Sequence, residues 1–115
     1  FDLYSGSDDQ ILPMLSIGAM GVISVISNIM PMETHRLCSS FFEGDVKTAL
    51  EIQTHMLRII KAMFSEVNPI PVKTALSMMG MCSEEFRMPL CTMEEENRVS
   101  LEKVMEKYNL IKPSR

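Results

Sequence analysis

The sequence has 115 residues, of which 46% are hydrophobic and 23% charged, a composition typical of about one globular domain. Its formal net charge of -4, without a basic stripe, argues against nucleic-acid binding, which requires clustered Lys and Arg. The apolar stretches fall short of the roughly 20 residues that span a bilayer, and no signal-peptide pattern opens the chain. We therefore expect a soluble, cytoplasmic protein with neither nucleic-acid nor membrane partners.

The first predicted unit is a short strand, a loop and a helix. Residues 3–5 form the strand, and the loop that follows reads Gly-Ser-Asp-Asp. Ser7 and Gln10 have the spacing of a capping box for a helix through residue 15.

The second predicted unit repeats this order. Residues 21–26 are rich in β-branched side chains, as expected for a strand buried on both faces of a parallel sheet. A helix is predicted over residues 33–43, and Gly44 suits the left-handed position that ends it.

Every later segment has the periodicity of a helix. Asp45 is the predicted N-cap of one long amphipathic helix, with core positions at Val46, Ala49, Leu50, Gln53, Met56, Leu57, Ile60, Met63 and Phe64. A second helix is predicted from Pro71 through Met79, and a third after a capping box formed by Thr92 and Glu95. We therefore divide the chain into two βα units at residues 1–44 and a helical domain at residues 45–115.

The cysteines and histidines predict no metal site. Cys38, Cys82 and Cys91 are widely spaced and form no Cys-x-x-Cys motif, which argues against a disulfide framework or a zinc site. We expect them to be buried thiols. His35 and His55 lie 20 residues apart and are expected on helix surfaces. The twelve methionines are expected to fill the core.

Two parallel strands leave much of their backbone without partners. We therefore expect the remaining strands to come from a portion of the protein that precedes Phe1 or from a separate chain. On this interpretation the sequence is the back part of an enzyme, whose ligand-binding loops follow the strands.

Five strings match one enzyme family in order and spacing. Residues 3–6 read Leu-Tyr-Ser-Gly, 12–15 Leu-Pro-Met-Leu, 21–25 Gly-Val-Ile-Ser-Val, 68–73 Asn-Pro-Ile-Pro-Val-Lys and 87–90 Arg-Met-Pro-Leu. On these strings the chain resembles the dihydrodipicolinate synthase family of pyruvate-dependent class I aldolases. Residues 24–28 and 68–73 favour the synthases over the related N-acetylneuraminate lyases, although a related pyruvate lyase remains an alternative.

The resemblance implies an α/β fold, with the last two βα units of a TIM (β/α)8 barrel followed by a C-terminal three-helix domain. It implies a lysine that forms a Schiff base with pyruvate, whose enamine then attacks aspartate 4-semialdehyde in lysine and diaminopimelate biosynthesis. That lysine and a relay tyrosine are expected upstream of residue 1. This chain would then hold no catalytic residue, and it would be inactive without the N-terminal portion of the enzyme. The resemblance implies that the complete enzyme is a homotetramer. No cofactor or metal is implied.

The resemblance also suggests which residues form the pocket wall. The main chain of Ile23 is expected near pyruvate and that of Gly6 toward the substrate, with Asp8 and Asn68 as candidates for the amino end of the semialdehyde. For Asp8 the alternative is a carboxylate placed at a helix N-terminus. Lys73 is expected to be structural, with its ammonium paired to a carbonyl or carboxylate.

A hypothesis of a different class is a non-enzymatic helical module. It would self-associate through the apolar faces that a missing barrel leaves bare. The intact loop after residue 5 and the strand pattern of residues 21–25 favour the enzyme fragment, because such a module would need neither.

Overall fold

The computed structural model describes residues 1–114. Five α-helices occur: α1 Ile11–Ser16, α2 Pro31–Phe42, α3 Val46–Met63, α4 Ile70–Met78 and α5 Glu95–Lys107. Two short 3-10 turns span Asp8–Gln10 and Ile26–Asn28. The chain divides into two compact units, Phe1–Ile60 and a second from Lys61 onward. No helix within the described residues is long and apolar enough to cross a membrane.

The two predicted strands meet at a single parallel bridge between Ser5 and Val22. The Ser5 amide donates to the Gly21 carbonyl at 2.9 Å, and the Ile23 amide donates to the Ser5 carbonyl at 2.8 Å. A parallel strand completes its hydrogen-bond ladder only between neighbours on both sides. Within residues 1–114 each segment has the other as its β-partner, so the pairing stays this short.

The prediction of a buried strand through Ile26 was wrong. Val25 already has helical dihedral angles, and the turn Ile26–Asn28 follows it. Ile23 is 72% exposed rather than covered on both faces. The chain turns here because the Asp8 carboxylate accepts hydrogen bonds from the Val25 and Ile26 amides, which leaves those amides unavailable to a sheet.

Helices α1, α2 and α3 surround the core of the first unit. One cluster of this core consists of Ile11, Leu12, Leu15, Leu37 and Ala49. Burying such side chains is the main force holding a domain of this size together. The predicted core positions of α3 are only partly confirmed. Ala49, Met56, Ile60 and Met63 are buried, whereas the prediction was wrong for Val46, Leu50, Leu57 and Phe64, which are exposed within this chain.

The ends of α2 and α3 largely follow the sequence signals. Pro31 occupies the first turn of α2, so this helix begins two residues before its predicted start. Gly44 has a φ of 87°, as its predicted left-handed position requires. Asp45 caps α3 as predicted, since the Thr48 amide donates to its carboxylate at 3.1 Å. Hydrogen bonds from Thr48 hold the pKa of the Asp45 carboxyl below its ordinary value.

Both predicted capping boxes were wrong. The Ser7 hydroxyl donates to the Asp9 carboxylate at 2.6 Å instead of capping a helix. Helix α5 begins at Glu95, and the side chain of its N-cap residue, Glu94, makes no capping hydrogen bond. The Glu94 amide donates instead to the Glu66 carboxylate at 3.0 Å. A distant carboxylate thus replaces the local hydroxyl that the sequence suggested.

The second unit contains α4 and α5. Its buried side chains include Ile70, Val72, Ala75, Leu101 and Met105. Gly80 ends α4 with a φ of 74°, as predicted. Arg98 forms an ion pair with Glu84 at 2.5 Å and fixes the segment before α5.

The expectation of buried thiols was wrong for Cys82 and Cys91 and is only partly met by Cys38. Cys82 and Cys91 are exposed, whereas Cys38 is half-buried, and none forms a disulfide. Burial raises the pKa of the Cys38 thiol, which disfavours the thiolate that nucleophilic chemistry needs.

Truncating Leu37 tests the core of the first unit. Leu37 is fully buried, so Leu37→Ala should lower the free energy of unfolding by about 2–5 kcal/mol through lost burial and a cavity. Met32 lies on the same helix but is 64% exposed. Met32→Ala should therefore change the free energy of unfolding by less than about 0.5 kcal/mol. Urea denaturation measures both, and equal effects would contradict this packing.

Candidate functional site

The parallel bridge brings together three of the four predicted site residues. Gly6 directly follows Ser5, and Ile23 directly follows Val22, at the same end of the paired segments. Asp8 lies in the turn after Gly6. The structure therefore places Gly6, Asp8 and Ile23 at the edge where the two loops leave the bridge, which is where parallel α/β proteins bind ligands.

Gly6 and Ile23 present an open edge. Gly6 is exposed, and a Cβ built on it would meet no atom within 4 Å. The Ile23 side chain is largely exposed, while its amide is occupied by the Ser5 carbonyl. A small ligand could therefore approach the main chain at Gly6 directly, and backbone groups can orient it without a bulky side chain.

Asp8 is held away from solvent and is fully hydrogen-bonded. It is 1% exposed. One carboxylate oxygen accepts from the Ser24 hydroxyl at 2.5 Å, and the other accepts from the amides of Val25 and Ile26 at 3.0 and 2.9 Å. The carboxylate thus caps the turn Ile26–Asn28 from a distant part of the chain. A carboxylate at the N-terminal end of a helical turn is stabilised by the local backbone dipoles.

The Ser24 hydroxyl extends this network. It donates to Asp8 and accepts from the Ser27 amide at 2.9 Å. The Ser27 hydroxyl donates back to the Ser24 carbonyl at 3.2 Å. Residues of the segment that follows Ile23 thus bind both oxygens of the Asp8 carboxylate. The position of this segment therefore depends on that of Asp8.

Gln53, on α3, is a residue whose role at the site the sequence did not indicate. Its amide nitrogen donates to the Asp8 carbonyl at 3.0 Å, and its amide oxygen accepts from the Leu12 amide at 3.0 Å. The available signal was a polar side chain at a core position of an otherwise apolar helix face. Such a side chain is buried only when its hydrogen bonds are satisfied.

Asn68, the fourth predicted site residue, lies in the second unit. It is exposed and precedes Pro69 through a cis peptide bond, at the start of α4. Its assignment to the substrate's amino end stays a prediction.

Lys73 has the structural environment that we expected. Its ammonium donates to the Glu85 carbonyl at 2.9 Å and lies 5.2 Å from the centre of the Phe86 ring. Both contacts use the ammonium group within the chain, as expected of a structural lysine.

Within residues 1–114 no group of three or more His, Cys, Asp or Glu side chains is placed to hold a metal ion. His35 lies exposed on α2, as expected of a helix-surface residue.

A family model described as the dihydrodipicolinate synthetase family matches residues 1–108. The chain belongs to this family. The 4-hydroxy-tetrahydrodipicolinate synthase of Clostridium tetani is 52% identical over 111 residues, which cover 96% of this chain and 38% of that protein.

Solved synthase structures share the fold. The crystal structure of dihydrodipicolinate synthase from Aquifex aeolicus matches with a TM-score of 0.95 at 48% identity, covering 98% of this chain and 39% of that one. The chloride-inhibited synthase of Acinetobacter baumannii, complexed with pyruvate, matches with a TM-score of 0.92 at 32% identity over 96% of this chain and 38% of that one. This chain thus has the fold of part of a TIM-barrel synthase and spans about two-fifths of the length of these relatives.

Neighbouring aspartates provide a matched test of the Asp8 network. In Asp8→Asn at least one carboxylate acceptor becomes an NH2 group facing a donor, which should lower the free energy of unfolding by about 1–3 kcal/mol. Asp9 is exposed and contacts only Ser7 through its carboxylate, so Asp9→Asn should cost less than about 0.5 kcal/mol. Thermal or urea denaturation distinguishes them. A tolerated Asp8→Asn would contradict the capping role.

Proposed function

We propose that this chain is the C-terminal part of a dihydrodipicolinate synthase. The complete enzyme would condense pyruvate with aspartate 4-semialdehyde through a lysine Schiff base, in lysine and diaminopimelate biosynthesis. The observation that carries the proposal is the position of Gly6 and the exposed Ile23 at the loop end of a parallel bridge, in a chain of this family.

The order of elements supports the C-terminal position. A (β/α)8 barrel repeats strand and helix eight times. Within residues 1–44 the two segments that meet at the Ser5–Val22 bridge are each followed by a helix, whereas α3, α4 and α5 follow one another without a strand in the described part of residues 45–115. A segment from the front of a barrel would continue with further strands. We therefore retain residues 45–115 as a helical domain that follows the last barrel unit.

In this proposal the chain binds and orients the substrate rather than reacting with it. We assign the Ile23 main chain to pyruvate and the Gly6 main chain to the second substrate. A related synthase, that of Acinetobacter baumannii, was solved in complex with pyruvate. Asp8 holds the Ser24–Ile26 segment that continues from Ile23. Because the Asp8 carboxylate is used within the chain, we assign the amino end of the semialdehyde to Asn68 rather than to Asp8.

The chemical steps belong to residues outside this chain. The Schiff-base lysine and the relay tyrosine would be supplied by the N-terminal portion of the enzyme, and this chain alone would be inactive. The enzyme would require no cofactor or metal and would be a cytoplasmic homotetramer.

A graded series at Gly6 tests the pocket assignment in the complete protein. Within residues 1–114 a Cβ added at Gly6 meets no atom, so Gly6→Ala and Gly6→Val place no strain on this part of the protein. Each added carbon would occupy space that the ligand needs, so KM for aspartate 4-semialdehyde should rise from Gly to Ala to Val, by about tenfold for Val. Steady-state kinetics measures this.

Two results of this series would count against the proposal. Absence of condensing activity in the unsubstituted complete protein would contradict the synthase function. Normal activity with an unchanged KM in Gly6→Val would retain the function but remove Gly6 from the pocket.

A further inference from the structure

Gln53 connects α3 directly to the first loop of the proposed pocket wall and, through Asp8, to the second. It is 4% exposed, although it lies on a helix face whose other core positions are apolar. Its two hydrogen bonds reach residues 45 and 41 positions earlier in the chain, Asp8 and Leu12. Both amide atoms are therefore used in joining α3 to the start of the chain.

The two partners of Gln53 are backbone groups at the start of α1. Leu12 is in the first turn of α1, where amides have no partner within the helix. The Asp8 carbonyl lies in the 3-10 turn just before α1. An apolar side chain at position 53 could fill the same volume, yet it would remove both of these buried hydrogen bonds.

The hold on Asp8 extends to the second loop. Gln53 binds the Asp8 main chain, and the Asp8 side chain binds Ser24, Val25 and Ile26. A shift of Asp8 would thus move the turn after Gly6 and the segment after Ile23 together. Among the described residues, it is the Gln53 amide that joins α3 to this hydrogen-bond network.

We propose that Gln53 is a positioning residue that sets the pocket wall formed by the Gly6 and Ile23 main chains, acting through Asp8 without touching substrate. This inference rests on the proposed synthase function. Pockets bind well only when their walls are already in the bound geometry. Loss of the Gln53 amide therefore weakens substrate binding more than it slows the reaction of bound substrate.

The main test uses Gln53→Met in the complete protein, because Met keeps the length of the side chain and removes both hydrogen bonds. Gln53→Glu is the second variant. It keeps an acceptor for the Leu12 amide and places an oxygen, rather than an N-H donor, beside the Asp8 carbonyl.

Thr74→Val is the matched control. Thr74 is fully buried on α4 in the second unit, and its hydroxyl donates to the Ile70 carbonyl at 2.9 Å. This substitution also removes a buried hydrogen bond at nearly constant volume, but it does so outside the Gln53 network.

Two measurements are needed for each variant. Hydrogen exchange followed by mass spectrometry reports opening of residues 22–29, which contain the Val25 and Ile26 amides, and does not depend on activity. Steady-state kinetics gives kcat and the KM of each substrate.

The expected result for both Gln53 variants is exchange of residues 22–29 about tenfold faster than in the unsubstituted protein. KM should rise about fivefold while kcat changes by less than about twofold. Thr74→Val should alter neither the exchange of this segment nor KM. If one Gln53 variant fails to fold, the other decides the outcome.

Three results would overturn the inference. Unchanged exchange of residues 22–29 would show that Gln53 does not hold this segment, and faster exchange with unchanged KM would show that the hold has no role in binding. Equal changes in Thr74→Val would attribute the effect to general stability. Absence of synthase activity in the unsubstituted protein would reject the proposed function and with it the substrate role of Gln53, whatever the exchange rates.

Discussion

The buried carboxylate of Asp8 is the contact on which the arrangement of both loops depends. A carboxylate can be buried only if charge-assisted hydrogen bonds replace the water it loses, and here three donors from Ser24, Val25 and Ile26 do so. The contact spans 16 to 18 residues and ends the second extended segment in a turn. Gln53 holds the same residue by its main chain, so one aspartate ties together the first loop, the second loop and α3.

This arrangement explains how a short bridge can support a binding edge. One parallel bridge supplies few backbone hydrogen bonds, and two-stranded pairing is marginal without neighbouring strands. The polar network therefore fixes the loops that the bridge alone would leave loose. Because the network uses the side chains of Asp8, Ser24 and Gln53 internally, Gly6 and Ile23 are left to offer their main chains at the open edge. In the proposed function, a wall of this kind would orient substrate and the reacting groups would lie outside this chain.

The sequence predicted what depends on local signals. Helix α3 was correctly bounded by Asp45 and its apolar periodicity, and Gly44 and Gly80 marked helix ends correctly. The extent of the strand at residues 21–26 could not be predicted, because a strand's length depends on neighbouring strands. The Asp8 contacts and the role of Gln53 could not be predicted either. Both join residues far apart in the chain, and no local pattern specifies such a partner.

The central claim is that this chain shapes a pyruvate site without providing its nucleophile. Borohydride reduction of the complete protein with pyruvate, followed by peptide mapping, tests it directly, because reduction makes a lysine Schiff base permanent. The account predicts a pyruvate adduct on a lysine outside the present sequence, with Lys73 unmodified. An adduct on Lys73 or another lysine of this chain, or no adduct at all, would contradict it.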